Sequence, residues 1–404
     1  MSSALDGLRV IEFGGYAAGP VVGKYLGNYG AEVIRIESRT RLDGFRTHYP
    51  PFKDNVPGPD RAGIFNYFND GKRSVTLNLK TKRGVELALA LVERADVVVE
   101  NFTPGAMARL GLSYDAVSQR NPRLVMLSTC NLGQFGPRAT QPGFGSHLTS
   151  LSGFTQLQGE PDGTPVLLYG PYIDYIAVGY GVAAVLAALL RRSATGEGAY
   201  IDLSQYESGL QFMTPALLDF FVNGRVATRQ GNRHASACPH GVFPCRGVER
   251  WVALSVWDDV EWQRFVEAIG APDWARDPAY ATLLGRKALE SQIEEQVAAW
   301  TRSRDRDEVV QLLCDHRLRA AAVNSMQDLF ADQRLRARGA WQLVDHPVLG
   351  RVQVAAPPFL LCETPPRFER AAPLLGADTA AVLHDLLGLD EAEIDTLEQA
   401  GVLA

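Results

Sequence analysis

A chain of 404 residues is longer than one hydrophobic core supports, so two domains are expected. Its 46% hydrophobic and 21% charged residues are those of a globular enzyme and exclude a disordered or fibrous chain. A net charge of −6 argues against a nucleic-acid surface, and five cysteines without Cys-x-x-Cys spacing argue against a zinc site and fit free thiols in a reducing compartment.

The N-terminus, Met1 to Phe13, shows no cationic segment followed by an apolar run, so a cytoplasmic protein is expected. Arg9 to Phe13 reads as a first strand, and a helix is predicted from about Pro20 to Tyr29. A second strand spans Glu32 to Ile36, a helix about Thr81 to Ala95, and further strands Asp96 to Glu100 and Leu124 to Leu127. This rhythm predicts a parallel sheet with helices on both faces. Two stretches without periodicity, Asp43 to Ala62 and Gly133 to Gly145, read as long loops of the kind that carry function.

The apolar stretch Ile176 to Leu190 falls short of a bilayer span. It belongs to a small-residue helix predicted from about Tyr175 to Leu190, followed by another near Ser204 to Val222. The polar, turn-rich segment from Gly224 marks a boundary. The expected division is 1–223 for a large domain, 224–324 for a small one, and 325–404 returning to the large one.

Gly14-Gly15-Tyr16-Ala17-Ala18-Gly19-Pro20 links a strand to a helix, where backbone N–H groups favour anions, although small residues there equally suit a tight turn. Lys72 and Arg73 place adjacent cations on a turn, as solvated charges or as phosphate contacts. Asn101 and Phe102 end a central strand, where ligands of open α/β sheets bind, and Arg109 follows Pro104 by just over one helical turn. On spacing alone Asp174 reads as a helix N-cap. The same position would keep its carboxylate ionised, as a covalent nucleophile requires. No His-x-x-x-His pair and no Gly-x-Ser-x-Gly elbow is present.

Taken in order, Leu5 to Glu12 with Ala18-Gly19-Pro20, Gly30 to Glu37, Lys72-Arg73-Ser74, Val99-Glu100-Asn101-Phe102 with Pro104-Gly105, Gly136-Pro137 and Thr195-Gly196-Glu197-Gly198 resemble the class III CoA-transferase family. That group includes formyl-CoA transferase and the acyl-CoA racemases, and the resemblance covers nearly the whole chain. It implies a large Rossmann-like α/β domain with a parallel sheet, a smaller α+β domain, and an interlocked homodimer or related heteromer. It places the nucleophile on Asp174 and the CoA contacts on Gly15, Tyr16, Ala18, Arg39, Lys72, Asn101, Phe102 and Arg109. Coenzyme A esters and free carboxylic acids would be the substrates, with no metal and no permanently bound cofactor.

The implied reaction passes through aspartyl anhydrides and an aspartyl-CoA thioester. Formyl-CoA transferase has Gln where this chain has Ala17 and an acid where it has Gly145, so formyl and oxalate specificity does not carry over. The family's glycine-run loop is not evident between Gly224 and Gly247. A racemase would need a histidine where Phe144 stands, leaving His147 as the substitute. A CoA-binding subunit without catalysis is the third reading, and retention of Asp174 counts against it. The loop Arg46 to Lys53 mixes cations and aromatics, as a pocket for an aromatic or branched dicarboxylate would, and loosely resembles the succinyl-CoA-dependent benzylsuccinate CoA-transferases.

Overall fold

The computed structural model describes residues 3–404. Six strands form a parallel sheet: β1 (Arg9–Phe13), β2 (Glu32–Glu37), β3 (Arg73–Thr76), β4 (Val97–Glu100), β5 (Val125–Cys130) and β6 (Ala199–Ser204). Their order is β3-β2-β1-β4-β5-β6, so the chain works outward from β1 in one direction and then returns to the other side. A crevice opens at that reversal, outside the carboxyl ends of β1 and β4.

Alternate residues of each strand serve opposite faces, which explains the near-continuous apolar runs. Ile11, Phe13, Ile34, Ile36, Val98 and Met126 join one core under the helix Lys82–Val92 and the C-terminal helices. Val10, Val33, Val97, Val99, Val125 and Leu127 join the other, beneath the helices Ala18–Asn28 and Tyr172–Thr195. The latter helix is longer than predicted. It has 24 residues, and an 18-residue stretch of it reaches mean hydropathy 2.0, long and apolar enough to cross a membrane, contrary to the sequence expectation; it packs along β5, β6 and the helix Ala18–Asn28. The helix predicted over Ser204 to Val222 is two, Gln205–Phe212 and Thr214–Asn223, because Pro215 starts a new first turn.

The chain divides into two units. The first comprises the residues up to Phe154, Leu167–Arg225 and Arg334–Ala404. Its C-terminal part includes the antiparallel hairpin of β10 (Trp341–His346) and β11 (Gly350–Ala355). Asp378 and Thr379 then accept the Ser74 and Thr76 amides, fixing that segment to β3. The second unit comprises Thr155–Val166 and Val226–Gln333. In it β7 (His240–Pro244), β8 (Trp251–Ser255) and β9 (Arg319–Ala322) form an antiparallel sheet packed with helices around Phe243, Leu254, Trp262 and Phe265. This division departs from the expected one in two places. Gly231 donates to the Gly159 carbonyl and Arg229 to that of Gln156, drawing 155–166 into the second unit. Asp328 receives Arg250 and Arg306, which keeps the helix Met326–Ala331 there too.

Candidate active site

The turn after β1 is held from two sides. Asn101, just past β4, donates to the Gly15 carbonyl at 2.7 Å and accepts the Gly15 N–H at 3.0 Å. This closeness demands glycine: a Cβ on Gly14, at φ +112°, would lie 1.9 Å from Asn101 Oδ1. Tyr16 follows at φ +59°, a left-handed conformation that costs a bulky residue free energy and marks functional sites. Its ring meets Phe45, Tyr49 and Phe144 edge-on, with centroids 5.4, 6.2 and 6.0 Å away. Glu100 accepts the Phe102 N–H at 2.8 Å, and burial raises the Glu100 carboxyl to about 7.

Gly14, Gly15, Tyr16, Asn101 and Phe102 help wall a cavity of about 520 Å³ at the carboxyl ends of β1 to β4, the crevice expected where strand order reverses. Five of the residues singled out from the sequence meet in it: Gly15, Tyr16, Asn101, Phe102 and Arg109. Three do not. Ala18 is buried in the first turn of its helix. Arg39 is exposed and leans toward Gly376. Lys72 is fully buried, and its ammonium contacts Glu12 at 2.8 Å, Asn69 at 2.9 Å and the Pro20 carbonyl at 2.7 Å. Burial lowers the Lys72 pKa to about 8 despite the Glu12 charge. A lysine so enclosed has no donor left for a phosphate, so Lys72 is set aside as a CoA contact. Sequence reasoning also missed Arg41 and Lys80, which reach the cavity from the ends of β2 and β3 and with Arg109 give it three exposed cations. Lone loop cations carry no local signature.

Beneath the cavity runs a buried ionic row. Arg35 pairs with Glu12 at 2.6 Å and with Asp43 at 2.5 Å. Burial alone would lower the Arg35 pKa, but Asp43, Glu12 and Glu37 outweigh it and raise it. Arg46 is also fully buried, held by Glu37 at 2.7 Å and Asp60 at 2.9 Å. Burial would raise the Glu37 carboxyl, yet Arg46 holds it at about 2. The expectation that the loop Arg46 to Lys53 offers a cation to substrate therefore fails for Arg46; of its aromatics, Tyr49 faces the Tyr16 ring.

Asp174 does not cap its helix. The helix begins at Tyr172 with Pro171 as N-cap, so Asp174 is its third residue, and its N–H donates to the Pro171 carbonyl at 3.0 Å. Its half-buried carboxyl receives no hydrogen bond among the described residues, and burial raises it to about 7. The helix N-terminus is expected to keep it ionised; burial works against that and raises its pKa. Facing it is Gly145, where a Cβ would sit 2.7 Å from Asp174 Oδ1 and 2.5 Å from Pro171 Cβ. Only glycine lets this backbone come so close. Gly145 follows Phe144, whose ring touches Tyr16, so a short chain of contacts links the carboxyl to the cavity wall.

The sequence profile of CoA-transferase family III matches residues 5–379. The chain belongs to that family. Succinate–glutarate CoA-transferase of Agrobacterium fabrum is similar, 32% identical over 399 residues, covering 98% of this chain and 96% of that one. So is the β subunit of succinyl-CoA–L-malate CoA-transferase of Chloroflexus aurantiacus, 33% identical over 99% of this chain and 98% of that protein. Among solved structures, a CaiB/BaiF family protein from Brucella suis has a TM-score of 0.87 and 29% identity, covering 96% of this chain and 100% of its own. As a family III CoA-transferase, the chain is an enzyme whose substrates are CoA thioesters and free acids. Phe144, read from the sequence as the position where a racemase would need a histidine, has no group that could transfer a proton. Its nearest substitute, His147, uses Nδ1 to accept the Phe144 N–H at 3.2 Å and lines a separate cavity with Asn131, Gly143 and Leu151.

Proposed function

We propose that the enzyme moves CoA from succinyl-CoA to a second dicarboxylic acid, with Asp174 as covalent nucleophile. Asp174 attacks the thioester carbonyl and expels CoA thiolate, leaving an aspartyl–succinyl anhydride. The thiolate then attacks the aspartyl carbonyl, succinate departs, and an aspartyl-CoA thioester forms. The acceptor carboxylate displaces CoA thiolate from it, and the thiolate takes the acceptor's acyl group from the second anhydride, regenerating the Asp174 carboxylate. No step requires net gain or loss of a proton. The observation that carries the reading is the half-buried Asp174 carboxyl, without a hydrogen-bond partner among the described residues, set against Gly145 and linked through Phe144 and Tyr16 to a cavity with three cations. Those cations suit the phosphates of CoA.

The succinyl donor and dicarboxylate acceptor are supported by relatives named for succinate, glutarate, L-malate and mesaconate. Within that class we favour an aryl-substituted succinate such as benzylsuccinate, because exposed rings of Tyr16, Tyr49, Phe144 and Tyr175 border the site. The enzyme functions as an interlocked pair with a second copy or a homologous subunit. Two features support this: the bare apolar helix Thr214–Asn223, with Phe221 85% and Val222 71% exposed, and relatives named as α and β subunits. One preparation tests these points. Sedimentation should give twice the chain mass, and succinyl-CoA with glutarate, malate, mesaconate or benzylsuccinate should yield the acceptor's CoA ester, fastest with benzylsuccinate. A monomer that transfers normally would contradict the pairing; no transfer to any of the four would contradict the acceptor class.

A further inference from the structure

Asp43 was singled out neither by the family resemblance nor by any motif, yet its side chain is 2% exposed and all its contacts converge on the cavity wall. One oxygen accepts the Phe45 N–H at 2.8 Å and the Tyr16 N–H at 3.2 Å; the other meets Arg35. The Phe45 contact caps the short helix Gly44–Thr47, leaving the charge of Arg35 and the amide of Tyr16 as its long-range partners. Arg35 reaches back through Glu12 to Lys72, so the row of buried charges ends on the first loop. The fit is close on both sides. A Cβ on Gly15 would lie 3.1 Å from Asp43 Cγ, and one on Gly44 would lie 2.6 Å from the Tyr16 hydroxyl.

We propose that Asp43 is a positioning residue for CoA transfer: its carboxylate holds the Tyr16 amide, and so keeps the first loop in the left-handed conformation that shapes the cavity and carries the Tyr16 ring to Phe144 beside Asp174. Asn101 grips the peptide group of Gly15, and Asp43 grips the next amide. Between them they hold a strained left-handed conformation that an unclamped tyrosine would relax out of. The charge matters because a carboxylate anchored by Arg35 accepts more strongly than a neutral amide.

This proposal rests on the reading of the cavity as the CoA site, and calorimetric titration with CoA separates the two. Wild type should bind CoA; if it does not, the cavity reading falls and this proposal with it. Asp43→Asn, close in shape but uncharged, should bind CoA at least about tenfold more weakly and raise KM for succinyl-CoA while kcat changes by less than about threefold. Tyr16→Gly should also weaken binding. Glycine adopts a positive φ without a clamp, so adding Asp43→Asn to Tyr16→Gly should cost less than about threefold more. Wild-type affinity in Asp43→Asn, or effects of the two substitutions that simply multiply, would overturn the proposal. So would an Asp43→Asn chain that fails to fold, since Asp43 would then be serving Arg35 and the sheet rather than the loop.

Discussion

At Asp174 two physical effects oppose each other. The first turn of a helix favours the carboxylate, while burial without a cation or donor disfavours it and raises the group to about 7. A carboxylate attacks and a carboxylic acid does not, so kcat/KM for transfer should rise with pH through about 7 and fall about tenfold per unit below it. Stability should respond with the opposite sign. The folded-state pKa lies above the unfolded value of about 3.9, so the native state holds the extra proton between the two, and the carboxyl's contribution to stability falls as pH rises through that window. By calorimetry, Asp174→Asn should therefore unfold at a higher temperature than wild type at pH 8, the difference shrinking as pH falls and the two converging only below about pH 4. A flat pH–rate profile between 5 and 8, or an Asn variant no more stable at pH 8, would show that the carboxyl is not desolvated. None of this was legible in the sequence, because the contact with Gly145 joins residues 29 apart that meet only once the loop is folded.

The strands β1 to β3 carry their polar residues into the molecule rather than out of it. Glu12 and Arg35 face each other in the parallel register of β1 and β2, and Lys72, in the turn just before β3, reaches the same Glu12 carboxylate. Removing one member strands its partner in a low-dielectric setting, so Lys72→Ala should lose about 3–5 kcal/mol of stability in denaturant unfolding. KM for CoA esters should stay unchanged in protein that remains folded. If instead stability holds and KM rises, the lysine reaches the ligand after all. The same elements show what a sequence discloses. Runs such as Val97-Val98-Val99 announced strands buried on both faces, and Asn101 and Phe102 announced the crevice, because strand ends are local features. The burial of Lys72 and Arg46 was hidden, since their acidic partners lie 60 and 9 residues away and nothing in Lys72-Arg73 or Gly44-Phe45-Arg46 distinguishes a paired cation from a solvated one. The break between the helices at Met213 was signalled by Pro215, which the apolar periodicity on either side obscured.

Across the whole molecule, the first unit brings together a cavity with three cations, a clamped first loop and a buried carboxyl, assembled from residues between Phe13 and Asp174. The covalent role of Asp174 is the claim on which the rest depends. The direct measurement is mass spectrometry of enzyme quenched in acid during turnover of succinyl-CoA, followed by peptide mapping. CoA should be found in thioester linkage on the peptide carrying Asp174. It should be lost on treatment with hydroxylamine, which leaves the hydroxamate of that aspartate, and it should be absent from Asp174→Ala. Enzyme that turns over at full rate with no adduct on that peptide, or an Asp174→Ala variant that still transfers CoA at near-normal speed, would contradict the account.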